Sequence, residues 1–243
     1  MKYLWITMKR VYFFLFAISF ITSAGAQSIF DKAKNVNSGN TQVTEAEAGS
    51  GVKEALNNGI KSAVSHLNKP DAFFKSEIYK VLLPPEAQKM EKTLRDIGFG
   101  KMADDAIEAI NRGAEDAVGF ATPIFVDAIR QMTVTDALKL VTGGENSITE
   151  FFKSKTSAKL KGVFLPVINT SLDKVNATKY YADAVTRYNK IPLVKKMNPD
   201  LVDHVSDKTL FALFDRIAVE EANIRNNPAA RTSDLLKKVF GSK

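Results

Sequence analysis

The stretch KMADDAIEAINRGAEDAVGFATPIFVDAIRQM, residues 101–132, decides the fold. Its apolar residues recur at alternating intervals of three and four, which is typical of a helix that packs along one face against other helices. The positions on this face are Ile107, Asn111, Ala114, Val118, Ala121, Phe125, Ala128 and Met132. A neighbouring face is also apolar and mostly small: Ala103, Ala106, Ile110, Gly113, Ala117, Phe120 and Ile124. Small side chains allow close approach, so we expect this helix to run through the centre of the domain.

A proline interrupts this central helix. The ring of Pro123 removes an internal hydrogen bond and clashes with the preceding turn. We therefore predict a kink or break near Gly119, so that the following residues, IFVDAIRQM (124–132), can form a helix of their own.

The segments before the central helix carry boundary signals. A first helix is predicted from the apolar positions Val52, Leu56, Ile60, Ala63, Val64 and Leu67. Pro70 ends it. A second helix begins at Pro84 and Pro85 and ends at Gly98, a residue suited to the left-handed conformation that follows many helices. Between them, FFKSEIYKVLLPP (73–85) lacks a helical period and is the only segment predicted to be a strand.

The segments after the central helix are also helical in pattern. Helix starts with N-cap spacing occur at Thr133 with Asp136 and at Ser147 with Glu150, and Gly143 and Gly144 end the helix between them. Further helices are predicted at 156–175 with a bend at Pro166, at 178–189, 199–205 and 207–226, and in a short segment ending at Phe240. The sequence therefore predicts an all-α fold, a single multi-helix bundle built around a long kinked central helix with no substantial sheet.

Residues 1–26 have the three parts of a cleavable secretory signal peptide. Lys2, Lys9 and Arg10 supply the positive charge, and small residues at positions 24–26 suit signal peptidase. The apolar run VYFFLFAISFI (11–21) is shorter than the roughly 20 residues that span a bilayer. We expect cleavage after Ala26 and export to the periplasm as a soluble protein; the alternatives are an uncleaved anchor or a buried first helix.

The remaining chain divides into a flexible leader, residues 27–51, and an all-helical domain, residues 52–243. The leader is rich in Ser, Asn, Gly and Thr and has few apolar residues. The sequence contains no cysteine, which excludes disulfides and thiol catalysis. The net charge is +7, and removal of the signal, which holds three of the 34 basic residues and no acid, reduces it to +4. Such a mild surplus in an exported protein argues against nucleic acid as a partner.

Several pieces of the sequence resemble one bacterial family. They are GVKEALNNGIKSAVSHL (51–67), NRGAEDA (111–117), PIFVDAIRQMTVTDALKLVTGG (123–144), SKTSAKL (154–160) and AVEEANIRNNPAARTSDLLKKVFG (218–241). Together they resemble the family known as domain of unknown function 4197 and cover nearly the whole mature chain. The resemblance implies an exported, helical protein and supplies no mechanism.

Common catalytic and cofactor motifs are missing from the sequence. It contains no G-x-S-x-G elbow, P-loop, HExxH or dinucleotide-binding glycine pattern, so we expect no cofactor. The histidines are His66, beside an apolar helical face, and His204. Asp200, Asp203 and His204 would share one helical face, which suits either a divalent ion or, more commonly, a capped helix end. We expect no metal there.

The first candidate polar site lies on the central helix. Asn111 occupies a packing position, where its amide must find a partner or cost about 1–3 kcal/mol. Arg112 and Glu115 flank it, and Glu108 precedes Arg112 by four residues. This group suits either an ion pair with one register-fixing amide or part of a reactive site.

The second candidate polar site is in EEANIRNNPAAR (220–231). Glu221 and Arg225 have the favourable four-residue spacing, and Arg231 follows a turn that could return it to Glu220 or Glu221 as a bidentate bridge. Such a bridge would hold the last helix on the bundle. A glutamate pair could instead serve as general acid and base.

The leading functional hypothesis is a non-catalytic binding or interaction module of the bacterial envelope. The alternatives are a hydrolase-like enzyme that uses Glu220 or Glu221 with Asn111, and a carrier of an apolar ligand in a cavity at Pro123. A basic stretch with Tyr180 and Tyr181 nearby suits an ordinary exposed face; as a binding surface, it would take anionic lipid headgroups or envelope polymers. Its lysines are Lys153, Lys155, Lys159, Lys161, Lys174 and Lys179. The partner class stays open between an envelope protein, a lipid and an anionic polymer.

Overall fold

From Thr44 onward, most of the described chain is helical, as the spacing of its apolar residues predicts. The computed structural model describes residues 44–190, 192–193, 195–231 and 237. The α-helices in these ranges are α1 (Glu45–Leu67), α2 (Gln88–Asp96), α3 (Gly100–Val118), α4 (Ala121–Gln131), α5 (Val134–Thr142), α6 (Ser147–Asp173), α7 (Ala177–Tyr188) and α8 (Leu201–Asn226). Short 3₁₀ turns occur at Pro85–Ala87 and Pro228–Ala230. These ranges contain no strand, and the all-α prediction is confirmed.

The central helix breaks where the sequence predicts. Helix α3 ends at Val118 and α4 begins at Ala121. In the break, the amides of Gly119 and Phe120 donate to carbonyls three residues earlier, the pattern of a tightened last turn. Pro123 lies in the first turn of α4, where its missing N–H leaves no helical hydrogen bond unmade.

Small residues on α3 let α6 approach closely. Gly113 is buried, and a Cβ atom at this position would lie 3.0 Å from Ser171 Cβ and 3.4 Å from Ile168 Cα. Ser171 Oγ donates to the carbonyl of Ala109 at 3.1 Å, which ties the two helices together. The sequence predicts that Phe120 packs on the same face of the helix as Gly113. It is instead 53% exposed, because the helix breaks before this residue and the face does not continue.

The first helix begins seven residues earlier than predicted, at Glu45 instead of Val52. Thr44 and Glu47 form a capping box: the Glu47 amide donates to Thr44 Oγ1 at 3.2 Å, and the Thr44 amide donates to Glu47 Oε2 at 2.8 Å. Gly49 is buried so tightly against Val134 that a Cβ would lie 2.8 Å from its Cγ1 atom. Residues 45–51 of the expected leader therefore belong to α1, while residues 1–43, including the expected signal peptide, lie outside the described residues.

The expected strand at 73–85 is wrong. This connection consists of turns and irregular backbone before the 3₁₀ turn at Pro85–Ala87. Phe73, Val81 and Leu83 are buried in the core, so the segment is anchored by single side chains. The part of the chain that the structure describes offers it no strand to pair with, and side chains of α3 bind its backbone instead.

Two helices are longer than predicted. Helix α6 is continuous from Ser147 and contains Pro166, and its N-cap position is Asn146 with φ 64°, so Ser147 is not the cap. Helix α8 is continuous through residues 205–207, where the sequence predicts two helices. Burial of Val205, Ser206 and Thr209 holds this region in a helix. The short helix expected to end at Phe240 lies outside the described residues, except for residue 237.

The core lies where α6 contacts α3, α4 and α8, and where α1 contacts α4, α5 and α8. Its largest buried rings are Phe73, Phe125, Phe152 and Phe164. Phe125 meets Phe152 edge to face, with ring centroids 5.4 Å apart. Among the described helices, none is both long enough and apolar enough to cross a bilayer.

Candidate functional site

Asn111 binds the irregular connection as a neighbouring strand would. Its side chain is fully buried on α3, and Oδ1 accepts the Val81 amide at 2.9 Å. Its Nδ2 donates to the carbonyls of Val81 at 2.9 Å and Ile107 at 2.7 Å. Both amide protons and the carbonyl oxygen are thus used within the fold. The prediction that this buried amide needs a partner is met by the backbone of residue 81.

Glu115 is a buried carboxylate, 4% exposed, with donors on both oxygens. Oε1 accepts the amides of Phe73 and Phe74 at 3.0 and 3.3 Å, and Oε2 accepts Arg112 Nη1 at 2.8 Å. Asn68 Nδ2 donates to the Glu115 carbonyl at 2.7 Å. Together with Asn111, this residue fastens the connection after α1 to the central helix.

Arg112 extends this cluster toward solvent. Its Nη2 donates to Asp71 Oδ1 at 2.8 Å and lies 3.4 Å from Glu108 Oε1. The guanidinium also lies 5.4 Å from the ring centre of Phe74. Hydrogen bonds from Lys75 and Arg112 lower the pKa of Asp71, and hydrogen bonds to Glu115 and Asp71 raise the pKa of Arg112. Every charge in this cluster is therefore compensated by a neighbour.

Glu221 forms a second buried carboxylate centre at the start of α6. Its Oε1 accepts the Ile148 amide at 3.2 Å, and its Oε2 accepts the Thr149 amide and hydroxyl at 2.9 and 2.8 Å. Arg225 donates to Oε1 through Nε and Nη2 at 3.0 and 2.8 Å. A carboxylate at this position satisfies the free amides of a helix N-terminus and complements its dipole.

Arg225 also closes the end of α5. Its Nη1 donates to the carbonyls of Val141 and Gly143, and its Nη2 donates to the Leu140 carbonyl and to Ser147 Oγ. These carbonyls belong to the last turn of a helix, where a cation is favourable. The Glu221–Arg225 pair thus joins α5, α6 and α8.

Glu220 and Arg231 lie apart from that pair. Glu220 Oε1 accepts Arg216 Nη2 at 2.6 Å and Ser62 Oγ at 3.0 Å, so this carboxylate faces α1. Arg231 donates to the carbonyls of Ile224 at 3.2 Å and Arg225 at 2.9 Å. The expected bridge from Arg231 to a glutamate is wrong, because the arginine caps the carbonyl end of α8 instead.

The candidate residues therefore form separate groups. Asn111, Arg112 and Glu115 serve the connection after α1, while Glu221 and Arg225 serve the α5–α6 junction. The two groups share no hydrogen-bond partner. The pairing of Asn111 with Glu220 or Glu221, as expected for a hydrolase-like site, does not occur. Sequence reasoning missed the partners Asn68, Asp71 and Thr149, which are distant in the chain from the residues that they contact, and it identified Ser147 only as a helix start.

The acidic start of α8 forms a capped helix end. Asp200 Oδ1 accepts the Asp203 amide at 2.9 Å, and Asp203 pairs with Lys161 at 2.7 Å. His204 Nε2 lies 3.2 Å from the Leu82 carbonyl, and burial lowers the pKa of this histidine. Among the described residues, no three or more His, Asp or Glu side chains are placed to hold a metal ion.

The basic stretch on α6 is partly paired. Lys161 binds Asp207 at 2.7 Å in addition to Asp203. Lys159 lies 3.9 Å from Asp127, and Lys153 lies 3.6 Å from Glu150. These pairs reduce the positive potential that the sequence alone suggests.

The surface beside Pro123 is mixed, with polar and apolar side chains in similar measure. Pro123 itself is exposed. The adjacent groove, of about 190 Å³, has the ionisable lining residues Asp127, Asp136, Lys155 and Lys159 together with apolar ones such as Phe151. The enclosed apolar cavity expected at this kink is not formed there.

An apolar groove lies between α2, α3 and α7. Its volume is about 260 Å³, and every lining residue is apolar or aromatic: Leu83, Met90, Met102, Ala103, Ala106, Val175, Ala177, Tyr180, Tyr181, Ala184 and Leu201. Met102, Val175 and Tyr180 remain substantially exposed at its rim. Exposed apolar side chains around a concavity are typical of a binding surface. We refer to this surface as the apolar groove.

Comparison with known proteins supports the resemblance seen in the sequence. A search of curated proteins and a search of solved structures each found no match. The sequence model of one family, described as protein of unknown function (DUF4197), matches residues 42–241 and so covers α1 to α8. The chain belongs to this family.

Proposed function

We propose that the protein is a non-catalytic binding module of the bacterial envelope, which holds large apolar side chains of a partner protein in the apolar groove. The observation that carries the proposal is the composition of that groove. Its lining is apolar or aromatic throughout, and three of its large side chains stay exposed at the rim. Burial of these side chains by a partner would be favourable at about 25 cal/mol per Å².

The shape of the groove suits a side-chain anchor of a partner protein. Its volume is about 260 Å³, and Met102, Val175 and Tyr180 are exposed at its rim. Met90 and Met102 can adapt to different shapes, and the tyrosines supply rigid contact area. Such pockets receive the aromatic or aliphatic anchors that dominate protein interfaces.

The two buried carboxylates support a non-catalytic role. A general acid or base must reach a substrate with at least one free oxygen lone pair or proton. Glu115 and Glu221 are each 4% exposed, and their oxygens accept backbone amides and arginine donors of the fold. Their chemistry is used to hold helices and connections in place.

An envelope location is supported by the signal-like residues 1–26. The family resemblance is compatible with it.

A peptide selection tests the proposed function. The purified protein would be used to select peptides from a phage-displayed library, and the affinity of enriched peptides would be measured by fluorescence anisotropy. We expect peptides with aromatic or aliphatic anchors. Ala184→Glu and Met102→Glu place a charge in the groove and should each weaken binding at least tenfold.

Val219→Glu is the matched control, because Val219 is exposed on α8 and does not line the apolar groove. It should leave affinity within about twofold. Thermal unfolding would verify that all three variants fold. Peptides that bind the groove variants as tightly as the native protein, or a library without any enriched peptide, would contradict the proposal.

A further inference from the structure

A second groove lies on another face, between the connection 78–88 and α8. Its volume is about 240 Å³, and its lining comprises Ile78, Tyr79, Lys80, Val81, Leu82, Leu83, Pro85, Gln88, His204, Lys208, Phe211 and Ala212. We call this surface the basic groove. Ile78 is 74% exposed and Phe211 is 60% exposed, which are high values for large apolar side chains. Leu83 is the one lining residue that it shares with the apolar groove.

Three basic side chains line this groove: Lys80, His204 and Lys208. No carboxylate lines it. Within the described part of the chain, neither lysine forms an ion pair. Lys80 Nζ lies 4.8 Å above the ring of Phe74, a cation–π contact that involves no hydrogen-bond acceptor. His204 is occupied by its contact with the Leu82 carbonyl.

Carboxylates on the neighbouring elements are engaged elsewhere or lie outside the lining, as Glu77 and Glu86 do. Asp207 pairs with Lys161, and Asp215 accepts the hydroxyl of Tyr79 at 2.9 Å. Glu86 is near enough to favour the charged form of His204 without lining the groove. The groove therefore combines apolar walls with two lysines that form no ion pair with the described residues.

We propose that the basic groove binds a single-chain anionic amphiphile of the fatty-acid class. The carboxylate lies against Lys80 and Lys208, and the acyl chain covers the exposed faces of Ile78, Leu82 and Phe211. This site is distinct from the apolar groove, so the inference does not depend on the function proposed for that groove.

Two features favour one amphiphile molecule over a bilayer surface. The lysines line a concavity of limited volume, which a single chain can fill. Glu77, next to Ile78, is also exposed, and its carboxylate would meet the headgroups of an anionic bilayer if Ile78 were inserted. A single ligand inside the groove avoids that repulsion.

The test is a calorimetric titration of the purified full-length protein with sodium dodecanoate, below its micelle concentration. Dodecanol and dodecyltrimethylammonium have the same chain with a neutral and a positive head. We expect saturable binding of dodecanoate at one molecule per protein, weaker binding of the alcohol and no binding of the cation. The double variant Lys80→Gln, Lys208→Gln should weaken dodecanoate binding about tenfold.

Further variants assign the binding to this groove. Phe211→Ser should weaken binding of both dodecanoate and dodecanol about tenfold or more, since it removes a wall. The matched control for charge is Lys195→Gln, Lys196→Gln, because both of these lysines are exposed and outside the lining. Ala184→Glu serves as the control for the apolar groove. Both controls should bind dodecanoate like the native protein.

Three outcomes would overturn the proposal. The first is dodecanoate binding that the lysine double variant leaves unchanged. The second is binding that Ala184→Glu abolishes and Phe211→Ser does not. The third is binding to vesicles of phosphatidylcholine and phosphatidylglycerol with no binding of free dodecanoate, which would identify a membrane surface instead. None of these outcomes depends on whether peptides bind the apolar groove.

Discussion

Arg225 Nη2 lies 2.8 Å from Glu221 Oε1, and both side chains are almost completely buried one turn apart on α8. The pair reaches the last carbonyls of α5 and the first amides of α6, so one helix supplies both caps for a junction between two others. Its partners are 72–85 residues away in the sequence. The pair therefore joins segments that are distant in the sequence, in addition to linking two residues of one helix.

Removal of the Glu221 carboxylate should destabilise the fold strongly. Glu221→Ala leaves Arg225 buried without its anion and leaves the Thr149 amide without an acceptor. We expect a loss of about 3–5 kcal/mol in the free energy of unfolding, measured by urea denaturation. Glu54→Ala on the exposed face of α1 is the control and should change stability by less than about 0.5 kcal/mol. Equal effects at both sites would contradict this role.

Asn111 should stabilise the fold through its hydrogen bonds to the backbone of Val81. Asn111→Leu keeps the approximate size of the side chain but leaves the Val81 amide and carbonyl buried without their partner. The expected cost is about 2–4 kcal/mol, since each unsatisfied group costs about 1–3 kcal/mol. Hydrogen exchange should show faster exchange at the Val81 amide. Unchanged exchange at this amide would show that the connection is held by other contacts.

Two glycines on packed helices should respond oppositely to alanine. Gly162 lies in α6 with open space where a Cβ would be placed, so Gly162→Ala should stabilise by about 0.5–1 kcal/mol through helix propensity. Gly113→Ala must place its Cβ 3.0 Å from Ser171 Cβ, and the resulting overpacking should cancel or exceed that gain. Thermal unfolding of both variants measures the difference. Equal stabilisation would refute the close α3–α6 approach.

Ionisation of the Tyr79 hydroxyl should make the free energy of unfolding depend on pH in the alkaline range. Burial and the hydrogen bond to Asp215 raise the pKa of Tyr79 to about 12, above the ordinary value of 10.0. Because the folded pKa is higher, the neutral hydroxyl stabilises the fold fully below pH 10, and this contribution declines as pH rises from 10 toward 12. Unfolding of the native protein and of Tyr79→Phe across pH 8–12 isolates the effect. The gap between them should narrow above pH 10, and a constant gap would exclude the coupling.

Export can be tested through the tryptophan content. Trp5 is the sole tryptophan in the sequence and lies within residues 1–26. If the signal is cleaved after Ala26, protein purified from the envelope of an expressing bacterium will show no tryptophan emission and will begin at Gln27 by mass spectrometry. Retained tryptophan emission would argue for an uncleaved N-terminus.

Local chemistry accounts for the features that the sequence predicts well. The break after Val118 follows from Pro123, and the capping box at Thr133 and Asp136 forms as expected. The Glu221–Arg225 contact also follows from its four-residue spacing. In each case the interacting residues lie within a few turns, so spacing alone defines the geometry.

Long-range partners account for what the sequence could not predict. Nothing near residue 81 indicates that its backbone would bind Asn111, and no local signal brings Thr149 to Glu221. The sequence predicts separate helices at 199–205 and 207–226, but packing of Val205 and Ser206 into the core joins them into α8. Tertiary burial outweighs weak local boundary signals of this kind.

Leu83 is buried and belongs to the walls of both grooves. A molecule that shifts this side chain from one side alters the shape presented on the other. By thermodynamic reciprocity, the factor by which occupancy of the first groove changes affinity in the second must equal the factor in the opposite direction. If occupancy of one groove moves Leu83, the two surfaces are therefore coupled, and by an equal factor in both directions.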